Sequence, residues 1–271
     1  MIGVLSGALG LVVGLVIGTL GGGGGVLSVP ALVYLLGQDA RAATTGSIVI
    51  VGLVSAVGML TRLRGRVIDW RTGLAFGVVG IPAAWAGALL NRTVPQPALL
   101  LSFSVLTLAI AVLLLVRSSS TAREDTPPAT GATGSTGVLA PPDRRSAVAR
   151  AVKVIASAAV VGFMTGFLGV GGGFLVVPAL AIVLGMTMPA AIATSLLVLT
   201  LNAAGSLAAR AGHLDLDWAV LGPFVGVAVL GALAGKPIAD RMSSAALGRA
   251  FAVLLLGVGG FVGVESLLSL V

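Results

Sequence analysis

The chain contains no cysteine, one histidine and only nine acidic residues among 271. Without cysteine there is no disulfide, no thiolate metal site and no cysteine nucleophile. Charged residues make up 9% of the chain and aromatics 4%, whereas soluble domains carry about 25% charged residues. So few polar groups could not cover the surface of a water-soluble fold. With 57% hydrophobic residues and 40 glycines, the chain reads as an integral membrane protein whose small residues let helices pack closely in lipid. The middle of each apolar run is free of Asp, Glu, Lys and Arg, so the usual intramembrane proton relay is missing. No His, Cys or Glu cluster suits a metal, and no nucleophile–base pair suits catalysis. Neither an enzyme nor a cofactor is expected, and His213 reads as a solvated loop residue. The net charge of +7 lies mainly between apolar runs, where it sets membrane orientation and argues against nucleic acid as a partner.

The apolar runs cover residues 2–20, 26–37, 44–60, 72–90, 97–116, 148–168, 174–185, 190–209, 218–235 and 246–268. A spanning helix needs about 20 apolar residues. Eight runs come near that length. The two that begin at Val26 and Phe174 reach only about 18 Å as helices, less than the ~30 Å hydrocarbon core. Residues 118–146 are rich in Ser, Thr, Gly and Pro with no apolar period, which predicts a flexible linker. The chain then divides into a first membrane repeat, 1–117, the linker, 118–146, and a second membrane repeat, 147–271.

The halves match at a shift of 148 residues. GGGGGVLSVPALVYLLG at 21–37 aligns with GVGGGFLVVPALAIVLG at 169–185, with eleven of seventeen positions identical. The same register places Pro30 on Pro178, Ser47 on Ser195, Asp69–Trp70 on Asp217–Trp218, and Gly14 and Gly18 on Gly162 and Gly166. Composition alone would not align both the prolines and the Asp-Trp pairs, so the chain is an internal duplication. The expected fold is an all-α polytopic membrane protein. Each half has about four full-length transmembrane helices plus a short half-helix after a glycine-rich break. Repeated halves with breaks at matching positions point to a secondary transporter whose breaks meet near the bilayer midplane.

Lys and Arg in the loops weigh two topologies. If each short segment returns to the side it came from, thirteen basic residues lie on one side and three on the other. The halves are then inverted and both termini are outside. If the first two runs form one broken crossing, the split is eleven to five and the halves are parallel. The cleaner bias favours inverted repeats. Both arrangements place the linker in the cytoplasm, with the chain a multi-pass protein of the cell membrane.

The paired G-x-G-G-G-x-L-x-V-P-A-L segments, each followed by a small-residue helix with T-G-S (45–47) or A-T-S (193–195), resemble the sulfite exporter TauE/SafE family of membrane permeases. The Asp-Trp pairs fit the same pattern. The resemblance covers nearly the whole chain except the linker. It implies a permease with duplicated halves that handles small anions, often sulfite or organosulfonates, commonly in export.

The residues themselves suggest how an anion would be held. A helix N-terminus exposes unpaired N–H groups and about half a positive charge, and glycine lets a ligand approach the backbone. Gly21, Gly22, Gly23, Gly24 and Gly25 and, in the second half, Gly169, Gly171, Gly172 and Gly173 are therefore candidate substrate-binding residues. Gly10, Gly14 and Gly18 form a small-xxx-small series and are expected to pack helices. No Lys-Ser/Thr follows either glycine loop, which excludes a P-loop. Pro30 and Pro178, expected in the first turns of the short helices, would shape the site without touching ligand. Thr45, Ser47, Thr194, Ser195 and Asn202 are donors on apolar helices and complete the candidate set, although such side chains also bond to helix backbone. Asp69–Trp70 and Asp217–Trp218 suit helix caps at the membrane interface. The expected partners are a small anionic substrate and the lipid bilayer, with a homodimer left open. A non-transporting membrane scaffold is the alternative reading.

Overall fold

In lipid no water is available to the backbone, so each apolar run must pair its polar groups within itself and folds as a helix. The structure, a computed structural model, describes residues 2–38, 40–65, 67–91, 93–121, 144–168, 173–209 and 218–268. Helix α1 is Ile2–Leu20, α2 Gly24–Pro30, α3 Ala40–Arg62, α4 Trp70–Asn91 and α5 Gln96–Thr121. In the second half, α6 is Arg144–Leu168, α7 Gly173–Pro178, α8 Met188–Ala209, α9 Trp218–Arg241 and α10 Ser244–Leu268. Helices α5 and α6 run a few residues into the expected linker; its remainder, 122–143, lies outside the described residues, as do His213 and Asp217.

Among the described residues seven helices are long and apolar enough to cross a membrane. The eighth apolar run forms α1, a 19-residue helix from Ile2 to Leu20, about 28 Å long. The glycine run ends it at Leu20.

The two short helices share an ending. After Pro30 the chain widens into a π turn, Ala31–Leu35, and after Pro178 into another, Ala179–Val183. Proline cannot donate the i→i−4 bond, and the ladder slips by one residue into i→i+5 pairing. Leu36 N donates to Ala31 O at 3.2 Å and Leu184 N to Ala179 O at 3.3 Å. The next bonds, Gln38 N to Leu32 O at 3.0 Å and Met186 N to Leu180 O at 3.1 Å, close both turns alike. Both prolines therefore sit at the end of the α segment, not in its first turn. The duplication persists down to individual hydrogen bonds.

The halves pack by exchanging helices. Helix α1 lies along α9, and its counterpart α6 lies along α4. A Cβ on Gly14 would overlap the Ala228 carbonyl, and one on Gly18 would come within 2.5 Å of the Ala232 carbonyl oxygen. Likewise a Cβ on Gly162 would overlap the Gly80 carbonyl, and one on Gly166 the Ala84 carbonyl. Residue numbers rise together in these pairs, so each pair runs parallel. The expectation that Gly10, Gly14 and Gly18 pack helices holds: each faces α9 backbone. At such close approach, side chains also reach the neighbouring backbone. Ser6 Oγ donates to Val220 O at 2.7 Å and Asn91 Nδ2 to Phe167 O at 2.6 Å.

Helices α3 and α8, which match in the repeat, cross each other, and so do α5 and α10. Gly58 faces Leu196 while Gly52 faces Ala203. Gly259 faces Thr107 while Gly263 faces Ser104, whose Oγ donates to Gly259 O at 2.8 Å. In both pairs one number rises as the other falls, so each runs antiparallel.

The outer faces carry Val78, Trp85, Val105, Val160, Leu230 and Phe261, all well exposed, which is the surface a bilayer would cover. Asp69 caps α4: its carboxylate accepts bonds from Thr72 N at 3.1 Å and Thr72 Oγ1 at 2.7 Å. Arg150 lies 3.7 Å from the same carboxylate. Burial works to raise the Asp69 pKa, but the Thr72 hydrogen bonds and the Arg150 charge outweigh it and hold the carboxyl below the usual range. Trp70 and Trp218 are exposed beside the helix starts, as interfacial anchors require.

Candidate functional site

The site grows from the break between α1 and α2. Gly21 has φ +67° and Gly23 has φ +83°, values that side-chain-bearing residues reach at a cost of about 1–2 kcal/mol. This pair of left-handed residues turns the chain from the end of α1 into the start of α2. No side-chain hydrogen bond caps α2 at Gly23, so its first N–H groups face the break without a side-chain acceptor.

The start of α7 meets the first break. A Cβ on Gly22 would overlap the carbonyl oxygen of Gly173, so the two half-helices start against each other, backbone to backbone. Gly169, Gly171 and Gly172 lie outside the described residues; Gly173 is buried at the first position of α7. Gly24 and Gly25 are buried at the start of α2.

One face of α8 serves both breaks. Ile192, Ser195, Leu199 and Asn202 follow each other at helical spacing. Ile192 stands where a Cβ on Gly21 would point, and Leu199 where a Cβ on Gly173 would point. Between them Ser195 Oγ lies 2.6 Å from Gly21 O and 2.8 Å from Ile192 O. Its proton is thus held by backbone carbonyls, and the hydroxyl ties α8 of one half to the break of the other. Asn202 ends the stripe, with a buried Oδ1 that has no hydrogen-bond partner.

Thr194 faces elsewhere. Its Oγ1 accepts the Asp69 N–H at 3.1 Å, which ties α8 to the start of α4. Sequence adjacency placed Thr194 with Ser195, but neighbours on a helix point about 100° apart. Thr45 and Ser47 are buried on α3, with Ser47 at the position that matches Ser195 in the repeat. Among the described residues no three His, Cys, Asp or Glu side chains gather where they could hold a metal ion.

Arg62 was overlooked in the sequence. It ends α3 next to a loop rich in arginine and reads there as an orientation charge, but it is buried, 7% exposed. Its Nη2 donates to Gly18 O at 2.7 Å. A signal was available: the shift of 148 places Arg62 on Arg210, the only arginine pair in register.

Comparison with known proteins agrees with this architecture. A family described as sulfite exporter TauE/SafE matches residues 6–262. A "Probable membrane transporter protein" of Xylella fastidiosa (strain 9a5c) is 30% identical over 265 residues, covering 97% of this chain and 95% of the relative. The "Probable membrane transporter protein YunE" of Bacillus subtilis (strain 168) is 25% identical over 260 residues, covering 93% of each chain. No solved structure gives a significant match.

Proposed function

The chain belongs to the sulfite exporter TauE/SafE family, a family of membrane transporters and not enzymes, and from that premise we propose that it exports small sulfur-containing oxyanions, such as sulfite or a sulfonate, across the plasma membrane. The observation that carries the proposal is the contact of the first break with the start of α7, Gly22 against Gly173. Two half-helix starts at one point, that of α2 without a side-chain cap, would offer backbone N–H donors and two positive dipole ends to a single anion. Candidate ligating positions are Gly21 to Gly25, Gly169, Gly171, Gly172, Gly173, Thr45, Ser47, Ser195 and Asn202, whereas Thr194 is turned toward α4. Ser195 contributes by holding Gly21, and Pro30 and Pro178 by shaping the half-helices. Asn202 offers a buried amide on the face that leads away from the breaks.

The helix directions support inverted repeats. With the halves in the same orientation, matching helices would run parallel where they meet. The α3–α8 and α5–α10 pairs run antiparallel, which supports inversion, with both termini outside and the 118–146 linker in the cytoplasm. In that arrangement the breaks share a seam near the bilayer midplane. Alternating access would rock the exchanged pairs α1–α9 and α4–α6 about it. An inside-negative potential favours exit of an anion by about 2.3 kcal/mol per charge per 100 mV, so no intramembrane carboxylate is needed to drive export.

The test is reconstitution. Purified protein in liposomes is expected to move labelled sulfite or a two-carbon sulfonate faster than protein-free liposomes, with saturation and with competition between the two. Flux at the protein-free rate for every sulfur oxyanion tried would reject the proposal.

A further inference from the structure

Arg62 is a buried cation beside the first break, and its geometry is only half accounted for. Helix α1 stops at Leu20 because the glycines follow, so its last carbonyls lose their helical donors. Gly21 N still donates to Ile17 O at 2.8 Å. The next carbonyl, Gly18 O, receives Arg62 Nη2 instead, at 2.7 Å. A cation at a helix C-terminus also complements the dipole. This explains one edge of the guanidinium.

It leaves Nη1 unexplained. That nitrogen is buried and has no hydrogen-bond partner. Among the described residues no carboxylate stands within ion-pair distance of Arg62. Asp240 acts on it from farther off and is itself paired with Lys236 on the same helix. Burying a charged donor without a partner costs free energy, and a purely structural C-cap would be served by a side chain with fewer donors. A guanidinium has five donors in a planar fork that matches the oxygens of an oxyanion two at a time.

We infer that Arg62 is an anion ligand on the cytoplasmic side of the glycine seam: its Nη2 edge holds Gly18 O, and its Nη1 edge receives an oxygen of the substrate oxyanion. The inference rests on the proposed export of sulfur oxyanions and adds to it the charge that the backbone site lacks. Because the same guanidinium holds the end of α1, an anion arriving at Nη1 contacts the group that anchors the first break. Loading of substrate is thereby coupled to the element that must move.

Binding is the readout, so the inference can be judged whether or not flux is seen. Purified full-length protein, wild type, Arg62→Gln and Arg62→Lys, is titrated with sulfite, sulfate and isethionate, and affinity is taken from the thermal shift. Sulfite is expected to stabilise the wild type, Arg62→Gln to weaken binding by about tenfold or more, and Arg62→Lys to fall between them. If Arg62→Gln does not elute as a single folded species, Arg62→Lys carries the test, because its ammonium can still reach Gly18 O but loses the second edge. Equal affinity in the folded variant and the wild type would overturn the inference, as would a wild type that none of the three anions stabilises. A wild type that binds sulfite through Arg62 yet moves none in liposomes would reject export while leaving this ligand in place.

Discussion

Replacing Gly22 with Ala is expected to reduce oxyanion flux by at least about tenfold while the protein still inserts and elutes as one species. Gly22 lies outside the left-handed region, so alanine meets no backbone penalty there. What it meets is the Gly173 carbonyl, which belongs to the backbone and cannot rotate away. The added methyl must separate the two breaks by a large fraction of an ångström, and positioned donors lose much of their effect with such a displacement. Two controls separate this from general damage. Gly37 has φ +65° and nothing within 4 Å of its would-be Cβ. Gly37→Ala should therefore cost about 1–2 kcal/mol of strain and keep most of the flux per folded molecule. Gly22→Leu should be no more active than Gly22→Ala. Liposome flux normalised to inserted protein checks all three, and wild-type flux in Gly22→Ala would remove the contact of the breaks from the mechanism.

Gly14→Leu is expected to have the largest effect on stability. The site faces the Ala228 carbonyl on α9, and the whole α1–α9 seam depends on that approach. Overpacking a core commonly costs 1–3 kcal/mol and sometimes more. Against backbone, on a seam that joins the two halves, we expect about 3 kcal/mol or more, a fall of roughly 6–12 °C in Tm. Gly166→Leu, opposite Ala84 in the exchanged pair, should do the same. Gly226 sits on α9 with nothing within 4 Å of its would-be Cβ. Gly226→Ala should leave Tm unchanged or raise it slightly, as expected of alanine in a helix. Melting of the detergent-solubilised protein measures the series. Similar losses at Gly14 and Gly226 would show that glycine acts there through flexibility and not through close packing.

The duplication carried most of what the sequence could reveal. A register holding from Gly14 to Trp70 made the two breaks visible as a pair, and the spacing of Gly10, Gly14 and Gly18 announced a packing face. Neither feature says which helix fills that face. The exchange of α1 and α6 between halves depends on the whole arrangement, which no local pattern encodes. The prolines were misplaced by a turn because the α segments begin at Gly24 and Gly173, earlier than the apolar runs suggest. Thr194 and Ser195 looked like one polar patch, but helical rotation sends one to α4 and the other to the break. Arg62 was hidden among loop arginines, since burial of a terminal side chain is decided by what lies beyond the helix end.

The account turns on an oxyanion resting between the two breaks, and that can be seen directly. Selenite has the shape and charge of sulfite and a strong anomalous signal. Crystals of the protein grown with selenite are predicted to show one strong anomalous peak within hydrogen-bonding distance of backbone N–H groups from both breaks, beside Gly22 and Gly173. A well-occupied peak that touches neither break, with the junction empty, would contradict it.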